Sequence, residues 1–277
     1  MQENLTAKAY RLRQHVLDII MAGKGGHIGG DMSVIDVLVT LYFDQMNISP
    51  ENQNDPGRDL FVLSKGHAVE AYYAVLAEKG FFPYEEVLAK FSKFGSPFIG
   101  HPNNKLPGNE MNSGSLGHGL PVSIGMALAA RMDGRPTRVY TVMGDGELAE
   151  GSVWEGAMAG GHYKLDNLCA VVDRNRLQIS GTTEQVMTQD DQCTRWAAFG
   201  WHTISVDGNS IPALHAAFEE AKATKGKPTV IIANTVKGCG SPVMENKAAW
   251  HHKVPTAEEY AQIMADLKAR EEAARHE

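Results

Sequence analysis

Cysteine is scarce and scattered: Cys169, Cys193 and Cys239 are the only three in 277 residues, an odd number with no Cys-x-x-Cys pair. That argues against a disulfide framework or a zinc ribbon and fits the reduced thiols of a cytoplasmic protein. Long hydrophobic runs are missing too. No segment approaches the roughly 18 apolar residues of a membrane span, and Lys8, Arg11, Arg13 and Asp18 break up the first twenty positions, leaving no uninterrupted signal-peptide core there. Positive charge is in deficit, with 26 Lys and Arg against 33 Asp and Glu for a formal charge of −7. Such a balance offers no general basic footprint for a nucleic-acid backbone. Also absent is a Gly-x-Gly-x-x-Gly that opens a helix behind a strand, with an acidic residue about twenty positions on, so a nicotinamide dehydrogenase fits poorly. Neither a repeat nor a Pro/Gly/Ser-rich linker divides the chain.

What is present is an ordinary globular composition, 43% apolar and 21% charged, with room for a sizeable core. From Leu5 to Ala22 the apolar residues Leu5, Ala9, Leu12, Val16, Ile19 and Ile20 recur at helical spacing until Gly23, Gly25 and Gly26 end the run. A second helix is expected from Ser33 to Phe43, with Ser33 as its cap. Short runs rich in β-branched residues, at 60–63, 139–143, 168–172, 204–206 and 230–233, read as buried strands. Helical segments at 68–79, 119–132, 150–163 and 211–224 lie between them. Strands alternating with helices predict an α/β domain with a mostly parallel sheet flanked by helices. We expect one compact domain over residues 1–277. Its last part, 256–277, opens on the capping box Thr256-Ala-Glu-Glu259 and reads as a charged, solvated helix.

The stretch Val139 to Gly151 runs from a predicted strand through Gly144-Asp145-Gly146 into a helix. Ligands of open parallel sheets bind beyond the carboxyl ends of strands, where glycines let the backbone approach a phosphate at a helix N-terminus. Asp145 would repel that phosphate unless a divalent cation bridges them, and Mg²⁺ takes oxygen ligands from one or two side chains plus phosphate and water. The next predicted strand ends in Asp173-Arg174-Asn175, and one strand–helix–strand crossover returns Asn175 to the same sheet edge. A turn alone would explain an isolated Gly-Asp-Gly; the pair at this separation points to a metal diphosphate.

Gly-Asp-Gly followed by 28 residues and an Asn resembles the signature of thiamine diphosphate enzymes. The resemblance implies Asp145 and Asn175 as side-chain ligands of Mg²⁺ or Ca²⁺, with the Leu177 carbonyl as a third and Gly146 as a backbone contact to the diphosphate. Four further segments are similar to transketolase loops in family order: Gly26-His27-Ile-Gly-Gly30, Leu63-Ser-Lys-Gly66-His67, Gly100-His101-Pro102 and Gly114-Ser-Leu116-Gly-His-Gly119. Ser115 and His118 there stand where the family usually has proline and glutamine. By this resemblance Gly114 and Leu116 hold the cofactor rings, and His67 lies near thiazolium and diphosphate. His27 and His101 would bond the donor's carbonyl and hydroxyls and move protons. Trp250-His251-His252-Lys253 is similar to a later family loop; His251 is aligned with the histidine that contacts diphosphate and substrate, with His252 as a rival. A zinc site at this pair would lack nearby ligands of suitable spacing.

Glu150 reads either as a helix-dipole carboxylate or, by resemblance, as a cofactor-site residue coupled to a partner's active site. Trp154 and Glu155 read as packing and surface residues, Arg174 and Arg176 as solvated arginines that could steer anions. Transketolases place the glutamate that activates the cofactor in a pyrimidine-binding domain, for which this chain has no room. The resemblance therefore implies the N-terminal subunit of a split transketolase, moving a two-carbon ketol unit from a ketose phosphate to an aldose phosphate. Its expected partner is a C-terminal subunit carrying the pyrimidine domain, two copies of each. The competing readings are another thiamine diphosphate enzyme subunit, such as a deoxyxylulose-phosphate synthase or ketoacid dehydrogenase component, and a catalytically silent scaffold.

Overall fold

Strands of four to seven residues, largely apolar and buried except for the edge strand at 202–207, assemble in the computed structural model into one five-stranded parallel sheet, described for residues 4–189 and 191–276. In chain order the elements are α1 (Leu5–Gly23), α2 (Ile28–Thr40), β1 (Leu60–Leu63), α3 (Val69–Lys79), α4 (Tyr84–Lys90), α5 (Gly119–Met132), β2 (Val139–Gly144), α6 (Gly151–His162), β3 (Leu168–Arg174), α7 (Thr183–Val186), α8 (Gln192–Ala198), β4 (His202–Asp207), α9 (Ile211–Ala223), β5 (Thr229–Asn234) and α10 (Ala257–Arg275). The strand order is β1-β2-β3-β5-β4. Alternation along each strand feeds two cores, as a period of two requires. Cys169 and Val171 of β3 join Ile231 and Ala233 of β5 under α1, α2, α3 and α9. Leu168, Ala170 and Val172 join Val230 and Ile232 under α5, α6 and α8.

All five predicted strands occur. The second helix starts earlier than expected, at Ile28, with His27 at its N-cap. Ser33 is therefore not a cap: it lies inside α2, and its hydroxyl donates to Asp173 Oδ2 at 2.6 Å, with the Gly30 carbonyl 3.0 Å away. Serine there serves a buried acceptor on the sheet rather than its own helix end. The Thr256–Glu259 capping box is present. The helix it opens is not fully solvated, because Ile263 and Leu267 are buried in the core shared with α1. Across that same core Arg13 of α1 reaches Asp36 of α2, an ion pair of 2.5 Å with both side chains buried. No helix among the described residues is long and apolar enough to cross a membrane.

Candidate active site

The carboxyl ends of β1, β2, β3 and β5 open into one cleft of about 400 Å³. It lies beside the point where the strand order turns back, β5 preceding β4, the location open α/β sheets use for ligands. Beyond β2, Asp145 is 3% exposed and accepts the Gly146 N–H at 2.8 Å and the Arg176 N–H at 2.5 Å. Burial first, then the neighbouring Asp173 charge, push its carboxyl up to about 6. Beyond β3, Asn175 is buried, its Oδ1 accepting the Leu177 N–H at 3.2 Å. Both line the cleft, as do Leu177 and Gly146. A carboxylate, an amide oxygen and a backbone carbonyl are hard oxygen donors, which suit Mg²⁺ or Ca²⁺ better than a soft metal. Among the described residues no group of three or more His, Cys, Asp or Glu is placed to hold a metal. A cation here would complete its shell with non-protein oxygens, as a diphosphate supplies.

Two buried lysines were not assigned from sequence. Lys65, just past β1, donates to Asp173 Oδ2 at 2.5 Å and to the Gly30 carbonyl at 2.9 Å. Burial alone would raise the Asp173 carboxyl, but the Lys65 ammonium and the hydroxyls of Ser33 and Thr235 outweigh it and hold it below the ordinary value. Lys237, past β5, donates to the Leu177 carbonyl at 2.8 Å and meets His251 Nδ1 at 2.8 Å. Burial and the Lys65 charge bring it down to about 8. As an ammonium Lys237 only donates, so His251 Nδ1 accepts and the ring's proton sits on Nε2. A carbonyl oxygen has two lone pairs, so Leu177 can serve Lys237 and a cation together.

Three elements and two loops bring the histidines together. Ring centroids of His27 lie 5.3 Å from His67, 6.2 Å from His101 and 5.6 Å from His251, and His67 is 5.6 Å from His251. All four line the cleft. Burial and mutual repulsion bring His27 down to about 4, and burial with the Lys237 charge brings His251 down to about 3. His67 falls well below the ordinary imidazole range, through burial and then Lys65, and His101 falls through burial. All four are therefore neutral at pH 7. His252 is exposed, 4.8 Å from the His27 ring, and lies outside the cleft lining.

The 114–119 loop closes one wall. Gly114 and Leu116 line the cleft, and a Cβ on Gly114 would come within 2.7 Å of the His101 ring. Glu147 anchors this loop, accepting the Gly117 N–H at 2.8 Å, the Gly144 N–H at 3.0 Å and the Ser64 hydroxyl. Ser115 and His118 are exposed. Glu150 is the N-cap of α6, exposed and packed over Gly117, and is not part of the cleft wall. Trp154 packs against Trp196 and Phe199 as expected, Glu155 is exposed, and the Arg176 guanidinium turns to Asn234.

A profile described as "Transketolase, thiamine diphosphate binding domain" matches residues 3–272. The chain belongs to the transketolase family. It is 47% identical to one subunit of the apulose-4-phosphate transketolase of Phocaeicola vulgatus, over 97% of this chain and 95% of that protein. With a 6-deoxy-6-sulfo-D-fructose transketolase subunit of a Clostridium species it shares 41% identity, over 96% and 97%. Among solved structures, transketolase from Campylobacter jejuni superposes with a TM-score of 0.90 at 26% identity, and that from Leishmania mexicana with 0.88 at 29%. This transketolase-type chain spans less than half of those two, 46% and 45%. The fold expected from sequence, a parallel sheet flanked by helices with the thiamine diphosphate-binding architecture, is thus the fold of its structural neighbours.

Proposed function

We propose that residues 1–277 form one diphosphate-binding unit, the N-terminal subunit of a split transketolase. In this reading it transfers a two-carbon ketol unit from a ketose phosphate, or a related modified ketose, to an aldose phosphate. The observation that carries it is the convergence of four neutral histidines on the cleft that also holds Asp145 and Asn175. When bound, thiamine diphosphate supplies the electron sink that lets the bond beside a ketose carbonyl break and re-form. Asp145, Asn175 and the Leu177 carbonyl would hold Mg²⁺ or Ca²⁺, and Gly146, His67 and His251 would face the diphosphate. Gly114 and Leu116 would support the rings, with Glu150 beyond them toward the partner.

His27 and His101 are left for the sugar. A neutral imidazole donates to a carbonyl with one ring nitrogen and accepts from a hydroxyl with the other without carrying charge. Support for a second chain comes from two sides. Relatives of this length are named transketolase subunits, and the solved single-chain neighbours are more than twice as long. We take the partner to be a C-terminal subunit with the pyrimidine-binding domain, two copies of each in the complex.

The test is reconstitution. Co-purified with such a partner, thiamine diphosphate and Mg²⁺, the chain should cleave a ketose donor without releasing CO₂, and alone it should turn over none. Release of CO₂ from pyruvate would point instead to a ketoacid-type reaction, and unchanged activity of an Asp145→Ala complex would point to a scaffold.

A further inference from the structure

The helices that present His27 and His67 have no side-chain caps of their own: neither His27 at the start of α2 nor Ala68 at the start of α3 makes one. A helix N-terminus leaves N–H groups without partners. Here each helix supplies the other's acceptor. Asp31, in the first turn of α2, accepts the Ala71 N–H of α3 through Oδ1 at 2.9 Å. Glu70, in the first turn of α3, accepts the backbone N–H of His27. The two carboxyls then meet. Their side chains interact with each other, are 0% and 1% exposed, and leave Asp31 Oδ2 and Glu70 Oε2 buried with no donor facing either.

Two carboxylates cannot make that contact, because an ionised carboxylate only accepts, and two like charges buried side by side drive one of them to keep a proton. We propose that Asp31 and Glu70 share a single proton and act as positioning residues: the linked pair fastens the start of α2 to the start of α3 and so fixes the spacing of His27 and His67. The proposal rests on the reading of those two histidines as site residues.

The surroundings fit one retained proton. Burial first and then Asp31 hold the Glu70 carboxyl well above its ordinary value, and burial raises Asp31 to about 7. The cation facing the pair, Lys65, is already committed to Asp173 and the Gly30 carbonyl. From α3 the Tyr73 hydroxyl faces Glu70 and donates to the Ile99 carbonyl, with the His101 carbonyl 3.2 Å away, so the pair also borders the segment carrying the third histidine. Gly26 makes room for the arrangement, since a Cβ there would stand 2.5 Å from Glu70 Oε1.

Amide variants test the proton directly. In Glu70→Gln one amide oxygen still accepts the His27 N–H while the NH₂ donates to Asp31; Asp31→Asn is the mirror image. Each replaces the shared proton by one that cannot leave. In the reconstituted complex both should keep kcat within about twofold of wild type at pH 7 and lose its decline above neutrality. Glu70→Leu, which leaves Asp31 unpaired and the His27 N–H bare, should lower kcat by roughly 100-fold, the order expected of a misplaced catalytic group, with KM changed far less. A second reading needs no turnover: thermal unfolding of the full chain against pH. Wild type should lose stability as pH rises from about 4, where the unfolded carboxyls ionise, until the shared proton leaves, and each amide variant should lose less over that window.

Amide variants as impaired as Glu70→Leu, or amide variants that keep the wild-type alkaline loss, would overturn the shared proton. A folded Glu70→Leu complex with wild-type kcat would overturn the positioning role. If wild type itself shows no ketol transfer, the proposed function fails, and the unfolding profiles still judge the proton.

Discussion

Asp145→Asn should make the isolated chain more stable while removing its grip on metal and diphosphate. The Asp145 carboxyl ionises at the ordinary 3.8 in the unfolded chain but only at about 6 in the folded one. Its contribution to folding is therefore complete below pH 4 and lost as pH climbs through 6. That difference corresponds to about 3 kcal/mol against the folded chain at neutral pH. Asparagine removes the burial of charge and the repulsion from Asp173 but matches the site imperfectly. Asp145 accepts the Gly146 N–H with one oxygen and the Arg176 N–H with the other. Asparagine leaves one of these N–H groups facing an NH₂, a loss of about 1–2 kcal/mol. The net expectation is a gain of about 1–2 kcal/mol at pH 7, or about 2–8 °C in Tm for a chain of this size. The assay is thermal unfolding from pH 4 to pH 8 without metal or cofactor, repeated with Mg²⁺ and thiamine diphosphate. Wild type should lose more stability than the variant between pH 4 and 6 and regain it with the ligands; the variant should be indifferent to them. A variant less stable than wild type at pH 7, or one that Mg²⁺ and cofactor stabilise equally, refutes the reasoning.

Three further outcomes follow from the same geometry. Lys237→Met removes a charged donor from the Leu177 carbonyl and His251, and should weaken thiamine diphosphate binding by about 10–100-fold in titration calorimetry. Since Lys237 titrates near 8, wild-type affinity should fall as pH rises through that value while the variant's stays level. Gly66→Ala puts a Cβ 2.8 Å from the Gly114 N and the Ser113 hydroxyl; the backbone there cannot yield, so cofactor affinity should drop while far-ultraviolet circular dichroism keeps its helical signal. Arg13→Met strands the buried Asp36 carboxylate, whose other side-chain partner is Asn209 Nδ2 at 2.7 Å, and urea unfolding should show a loss of about 3–5 kcal/mol.

The central strands were legible because they are buried on both faces, so nearly every residue in them is apolar, as in Leu168–Val172 and Val230–Ala233, whereas the edge strand His202–Asp207 buries only Ile204. The helix boundaries were less so. Ser33 carries the side chain of a cap, yet the backbone turns helical five residues earlier, because Asp173 on the sheet competes for its hydroxyl. The charged face of α10 hid Ile263 and Leu267, whose spacing of four was the sign that one stripe packs on α1. Both misreadings have one cause: a side chain whose partner lies more than a hundred residues away along the chain.

That cause also explains which parts of the candidate site could be read. Asp145 and Asn175 belong to consecutive strands, so a single crossover places both at the same edge and their separation alone carries the geometry. Lys65 and Lys237 come from β1 and β5, which are not neighbours in the sheet. No local spacing relates them, and a lysine on its own reads as surface. Each nevertheless had a sign. Lys65-Gly66 and Lys237-Gly238 both stand just beyond the carboxyl end of a buried strand, where the parallel sheet opens to its ligand. A lysine in that place cannot reach solvent along a polar face, and a following glycine frees the backbone to turn. Its ammonium must find an acceptor inside, as both do here, on Asp173 and on the Leu177 carbonyl. A Lys-Gly pair closing a buried apolar run is therefore a stronger indication of a buried ammonium held by an internal acceptor than either residue alone.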